Sequence, residues 1–134
     1  MTAPGVVALL NTFSKTASLV VVAIGTLVLA GWVADVETLK AVLPGYEPMK
    51  VNTSLGFVFG GLSLWLLLSR SASRTARIVA GIFAFFVVVI GILTLFEYLT
   101  WRDFGIDNLI FVDPDADRGG GFPRRMSPLT AFNF

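Results

Sequence analysis

Charged side chains are missing from three stretches of the chain, residues 16–34, 51–69 and 78–96, and each of these apolar runs is 19 residues long. At about 1.5 Å of rise per residue, such a run makes a helix of roughly 28 Å, which matches a hydrocarbon core of about 30 Å. Lipid offers no hydrogen bonds to backbone amides, so a helix that satisfies its own is the expected conformation. The pattern predicts an all-α membrane protein with helices at about 16–34, 51–69 and 78–97, outer loops at 35–50 and 98–126, and the start of a fourth helix at 127–134. Residues 1–134 then form a single transmembrane domain with three full transmembrane helices. The first run is too long for the apolar core of a cleaved signal peptide, about 7 to 15 residues, and reads instead as a signal anchor.

Basic residues near helix ends are retained on the cytoplasmic side. Arg70, Arg74 and Arg77 join the second and third runs with no acid among them, which places that turn and the N-terminus in the cytoplasm. The first loop (Asp35, Glu37, Lys40, Glu47, Lys50) and the long stretch after Glu97 lean acidic and belong outside. Trp32, Tyr98 and Trp101 fall at the outer interface and Trp65 near the inner one, as amphipathic anchors.

Composition narrows the chemistry. The chain is 55% apolar and 14% charged, with a mean hydropathy of +0.80, beyond the usual balance of a soluble domain. It has no cysteine and no histidine, so thiolate and imidazole ligation and histidine acid–base chemistry are excluded. A net charge of +1 without a basic cluster beyond the three arginines gives no footprint for nucleic acid. No arrangement reads as an enzyme active site, and no cofactor is expected.

The chain also matches itself. Residues 126–134 resemble residues 49–57, with Met126, Thr130 and Phe134 standing where Met49, Thr53 and Phe57 stand. A looser match sets the segment from Thr26 to Trp32 beside that from Thr94 to Trp101. This predicts a tandem helix-loop-helix repeat with a natural continuation through a complete fourth helix. The pattern Pro44-Gly45, Met49-Lys50, Asn52-Thr53, Leu55, Phe57, Gly61-Leu62 and Leu64-Trp65-Leu66, then the arginine-rich turn, Leu93-Thr94-Leu95-Phe96-Glu97-Tyr98-Leu99, Gly105-Ile106-Asp107-Asn108-Leu109 and Arg125-Met126-Ser127-Pro128, resembles the N-terminal membrane region of bacterial multidomain sensor proteins. In that family such a region precedes PAS, histidine kinase or cyclic-dinucleotide output modules. The second copy departs by carrying Leu129 where the first has Asn52. The resemblance implies a non-catalytic input or anchor region in the bacterial inner membrane, in contact with lipid and a protein partner. The alternative is an accessory structural subunit of a larger photosynthetic or respiratory complex.

Candidate positions carry two readings each. Gly56, Gly60 and Ser63 form a small-residue seam, for self-association or for packing within the chain. Asn52, Thr53 and Ser54 either cap the second helix or contact a ligand or quinone. Glu97 is expected to be solvated at the interface, with proton handling as the sharper reading. Residues 113–117 present three aspartates, but a calcium loop would need Gly and Glu where Arg118 and Arg124 stand, so a solvated turn is expected. A short surface helix is expected over 101–112. In intact cells, the topology predicts that Ser73→Cys reacts only with membrane-permeant thiol reagents and Ala116→Cys also with impermeant ones; the reverse labelling would contradict the orientation.

Overall fold

The computed structural model describes residues 3–41, 48–69, 73–100 and 127–134, and every element among them is a helix. In order these are α1 (Ala3–Ala34), α2 (Glu37–Lys40), α3 (Val51–Leu67), α4 (Arg74–Thr100) and α5 (Pro128–Asn133). Two of them, α1 and α4, are long and apolar enough to cross a membrane, and α3 is a shorter apolar helix of 17 residues. Arg70, Trp101, the 101–112 helix and the acidic stretch at 113–117 lie outside the described residues.

Helix α1 begins 13 residues before the expected position 16. Residues 3–14 carry no charge to mark a boundary, and Pro4 sits in the first turn, where its missing N–H removes no helical bond. The helix ends where Asp35 adopts a left-handed conformation (φ 53°) and the Val36 amide donates back to the Gly31 carbonyl at 2.9 Å, a Schellman closure. The loop that follows is partly ordered as α2, which folds against α1 so closely that a Cβ on Gly31 would lie 2.6 Å from that of Leu39. At its other end α4 also exceeds the expected span. Ser73 caps it by accepting from the Ala76 amide, so Arg74 and Arg77 belong to its first turn and not to a loop.

Helix α3 is the centre of the arrangement, with α1 on one flank and α4 on the other. Small residues set the α1–α3 distance. A Cβ on Gly25 would come within 2.7 Å of the Ser54 carbonyl, and one on Gly61 within 2.6 Å of Val22 Cγ2 and 2.8 Å of the Ser18 carbonyl. Toward α4, Ser63 donates to the Ala80 carbonyl at 2.8 Å, and Phe59 stacks on Phe83 with ring centroids 5.5 Å apart. Within the expected seam, therefore, Ser63 bonds α4 and Gly56 meets the Phe134 ring beside α5. Gly60 has only Val87 near it, at 4.0 Å. The tightest α1–α3 contact belongs to Gly61, one residue outside the G-x-x-x-G spacing.

Burial is inverted relative to a soluble domain. Among the described residues Phe13, Phe85 and Leu99 are 71%, 64% and 79% exposed, whereas Ser54, Thr94 and Glu97 are fully buried. The neighbouring glycines give a matched test. Gly61→Ala drives a methyl into the α1 backbone and is expected to cost about 1–3 kcal/mol by overpacking, while Gly60→Ala is expected to be nearly neutral, both read from loss of helicity on denaturation in detergent.

Candidate polar site at one end of the helices

Among the described residues, six of the eight buried polar ones, Lys40, Asn52, Thr53, Ser54, Thr94 and Glu97, lie at one end, at the start of α3, the end of α4 and in α2. Helical spacing brings part of this set together. Asn52, Phe59 and Ser63 occupy one stripe of α3, at i, i+7 and i+11, and Phe59 and Ser63 contact α4. On α4 the matching stripe is Ala80, Val87 and Thr94; Ala80 receives Ser63 and Val87 lies nearest Gly60. Asn52 and Thr94 therefore stand at the same end of two facing stripes, with Glu97 one turn beyond Thr94.

The first turn of α3 is not capped by a side chain. Its N-cap residue is Lys50, which makes no side-chain capping bond, so Asn52 and Thr53 stand inside the first turn and not at the cap, and both are buried. Ser54 bonds back to the Lys50 carbonyl at 3.1 Å. By contrast the side chain of Ser127 caps α5, accepting from the Thr130 amide, and Pro128 occupies the first helical position. Glu97 was expected in solvent, yet it is fully buried: it shares the inward side of α4 with Thr94, a register that charge spacing alone does not fix.

Thr94 differs from four other threonines in α1 and α4. The hydroxyls of Thr12, Thr16, Thr26 and Thr100 each donate to the carbonyl four residues back, at 2.8–3.1 Å. The Thr94 hydroxyl is buried without a hydrogen-bond partner among the described residues. A hydroxyl in that position is available to a polar group entering between α3 and α4.

No family model, curated protein or solved structure matches the chain. The site is therefore read from its own geometry.

Beside the α3–α4 set, the end of α1 is fastened by a second cluster. Lys40 Nζ donates to Asp35 at 2.6 Å and to Glu37 at 2.7 Å, and it sits 4.9 Å from the centre of the Trp32 ring. The Trp32 indole N–H donates to the Met49 carbonyl at 2.9 Å, and its ring packs with Val28 and Val51. Trp32 is thus a buried link between α1 and the chain leading into α3. Tyr98 is half-buried and Trp65 is exposed. Sequence spacing pointed to neither the Lys40 cluster nor the burial of Thr94; the one signal for the former is a lysine placed three and five residues after acids.

The hydrogen bonds to Asp35 and then to Glu37 raise the Lys40 pKa above its ordinary 10.5, against a smaller opposing effect of burial. A raised folded-state value stabilises fully below the unfolded value and is lost as pH rises through the folded one. Stability is therefore expected to fall on the alkaline side of 10.5 in the native chain, and less so in Lys40→Gln, as read from thermal midpoints across that range. Thr94→Val removes a buried hydroxyl that makes no bond while keeping its shape. It is expected to be neutral or stabilising by about 1 kcal/mol in denaturation in detergent, and a large loss would show that the hydroxyl is bonded in the native state.

Proposed function

We propose that the chain is the membrane-embedded input and anchoring region of a bacterial sensory signalling protein, in the cytoplasmic membrane with its N-terminus inside. The observation that carries this reading is the polar set Asn52, Thr94 and Glu97 enclosed between helices whose outward faces are apolar. A buried carboxyl, amide and hydroxyl are costly in such surroundings unless partnered. A polar ligand entering there alters the packing of α3 on α4. That shift of one helix against another is a common way of biasing a two-state output.

Under this reading α3 is the third span, at the short end of the about 17–25 residues that cross a bilayer. The tandem repeat is supported by two coincidences. Helices α3 and α5 begin at Val51 and Pro128, each two residues after the methionine of its Met-x-x-x-Thr segment. The Gly25 site faces the Ser54 carbonyl and the Gly91 site faces the Ala131 carbonyl, and Ser54 and Ala131 are matching positions. The better register for the preceding helices therefore sets Ile24-Gly25-x-Leu27-x-Leu29 beside Ile90-Gly91-x-Leu93-x-Leu95, in place of the looser pairing of Thr26 with Thr94.

The second reading, an accessory subunit, is favoured by the large apolar side chains on the outside of α4, where Phe85 and Leu99 are mostly exposed. A chimera separates the two. With the chain fused ahead of a cytoplasmic histidine kinase reporter, Asn52→Leu and Glu97→Gln are expected to change basal phosphorylation by about fivefold or more, the lower range of allosteric coupling. Unchanged phosphorylation in variants that still insert would contradict an input role.

A further inference from the structure

An open groove of about 340 Å³ runs over the face of α3 between α1 and α4, within the range of about 300–1,000 Å³ found for small-molecule sites. Gly60 and Leu64 form its floor, Ala17 and Val21 one wall, and Val87 the other, with Phe134 across one end. It is almost wholly apolar. Gly60 leaves it open, since a Cβ there would meet nothing closer than Val87 Cγ2 at 4.0 Å.

Charge at the other end of the groove selects the occupant. On α4, Arg77, Ala84, Val88 and Gly91 fall on one stripe, and Gly91 marks that stripe as the side facing α5. Arg77 thus lies on the α5-facing side of α4, toward the start of that helix and beyond the Leu64 end of the groove, and Arg74 lies one turn before it. Both are exposed, and neither has an ion-pair partner among the described residues. Every acid in the sequence falls at 35–47 or 97–117, and so in the last turn of α4 or after the far ends of α1 and α4 in the sequence. An apolar slot with two exposed guanidiniums toward its foot complements a molecule with an apolar tail and an anionic head.

We propose that the groove holds one acyl chain of an anionic membrane phospholipid, with its phosphate at Arg74 and Arg77. The site rests on the membrane-embedded reading above. Arginine binds phosphate bidentately, and each basic residue near an anionic lipid surface is worth roughly a fivefold gain in binding.

The full chain is reconstituted in nanodiscs containing phosphatidylglycerol and phosphatidylcholine, released into mild detergent, and the retained lipid is counted by native mass spectrometry. The expected result is one phosphatidylglycerol per chain, with phosphatidylcholine lost. Replacing both arginines (Arg74→Gln with Arg77→Gln) is expected to weaken retention by about twenty-fivefold, the product of two fivefold losses. Gly60→Leu, which fills the slot and leaves both arginines, is expected to displace the lipid as well. Equal retention of the two lipids, or undiminished retention in Gly60→Leu, would overturn the proposal. So would a thiol at Gly60→Cys that cross-links to protein and not to photoreactive lipid in the native membrane, because a helix would then occupy the groove. Extraction of the chain by alkaline carbonate would sink the membrane reading itself, whereas a carbonate-resistant chain that retains no phosphatidylglycerol sinks only the lipid site.

Discussion

The arrangement depends on where apolar side chains are allowed to face. In water, leaving Phe13, Phe85 and Leu99 exposed while burying Ser54, Thr94 and Glu97 would forfeit the main driving force for folding. In a hydrocarbon surrounding the preference reverses, since outward apolar groups lose nothing and polar groups gain by meeting one another. Helix association must then come from close backbone approach and a few interhelical hydrogen bonds. The structure supplies both: Gly25 and Gly61 bring α1 onto α3, and the Ser63 hydroxyl ties α3 to α4.

The same constraint explains the difference between the two ends. Toward the start of α4 the helices hold mostly small and apolar contacts, with Ser18 and Ser63 using their hydroxyls on backbone carbonyls. At the opposite end the chain gathers an amide, hydroxyls, a carboxyl and the Lys40 cluster. The Lys40–Trp32 cluster closes α1 against the entry to α3, so the Asn52 end of α3 is held from the α1 side. From the α4 side it meets the Thr94 stripe, where the hydroxyl has no bond of its own. One flank is fastened by hydrogen bonds, and the other leaves the Thr94 hydroxyl unbonded among the described residues.

Much of this was legible in the spacing of charges. Lys50 and Asp35 bound α3 and α1 because a charge at a helix end reports the edge of an apolar run. The start of α1 was hidden for the same reason: residues 3–14 have neither a charge nor an interior helix breaker. The Gly56–Gly60 spacing marked α3 as a close-packing helix, but spacing does not say from which direction a neighbour arrives. Helix α1 comes in over Gly61, and Gly60 is left facing the groove. Glu97 read as an interfacial acid since it follows an apolar run, and only the register of α4 on α3 reveals that it lies inward beside Thr94. The Lys40 cluster depends on the fold-back of α2, a tertiary event with no periodic signal.

The central claim is that the outward apolar faces meet lipid, and the environment of Phe85, midway along α4, tests it most directly. The chain has no cysteine, so spin labels at Phe85→Cys and Ser73→Cys report single positions after reconstitution in bilayers. Collision rates with molecular oxygen and with a water-soluble nickel chelate then distinguish lipid from water. The account predicts a label at Phe85→Cys that is open to oxygen and shielded from nickel, beside a label at Ser73→Cys that nickel reaches readily; equal access of nickel to both would contradict it.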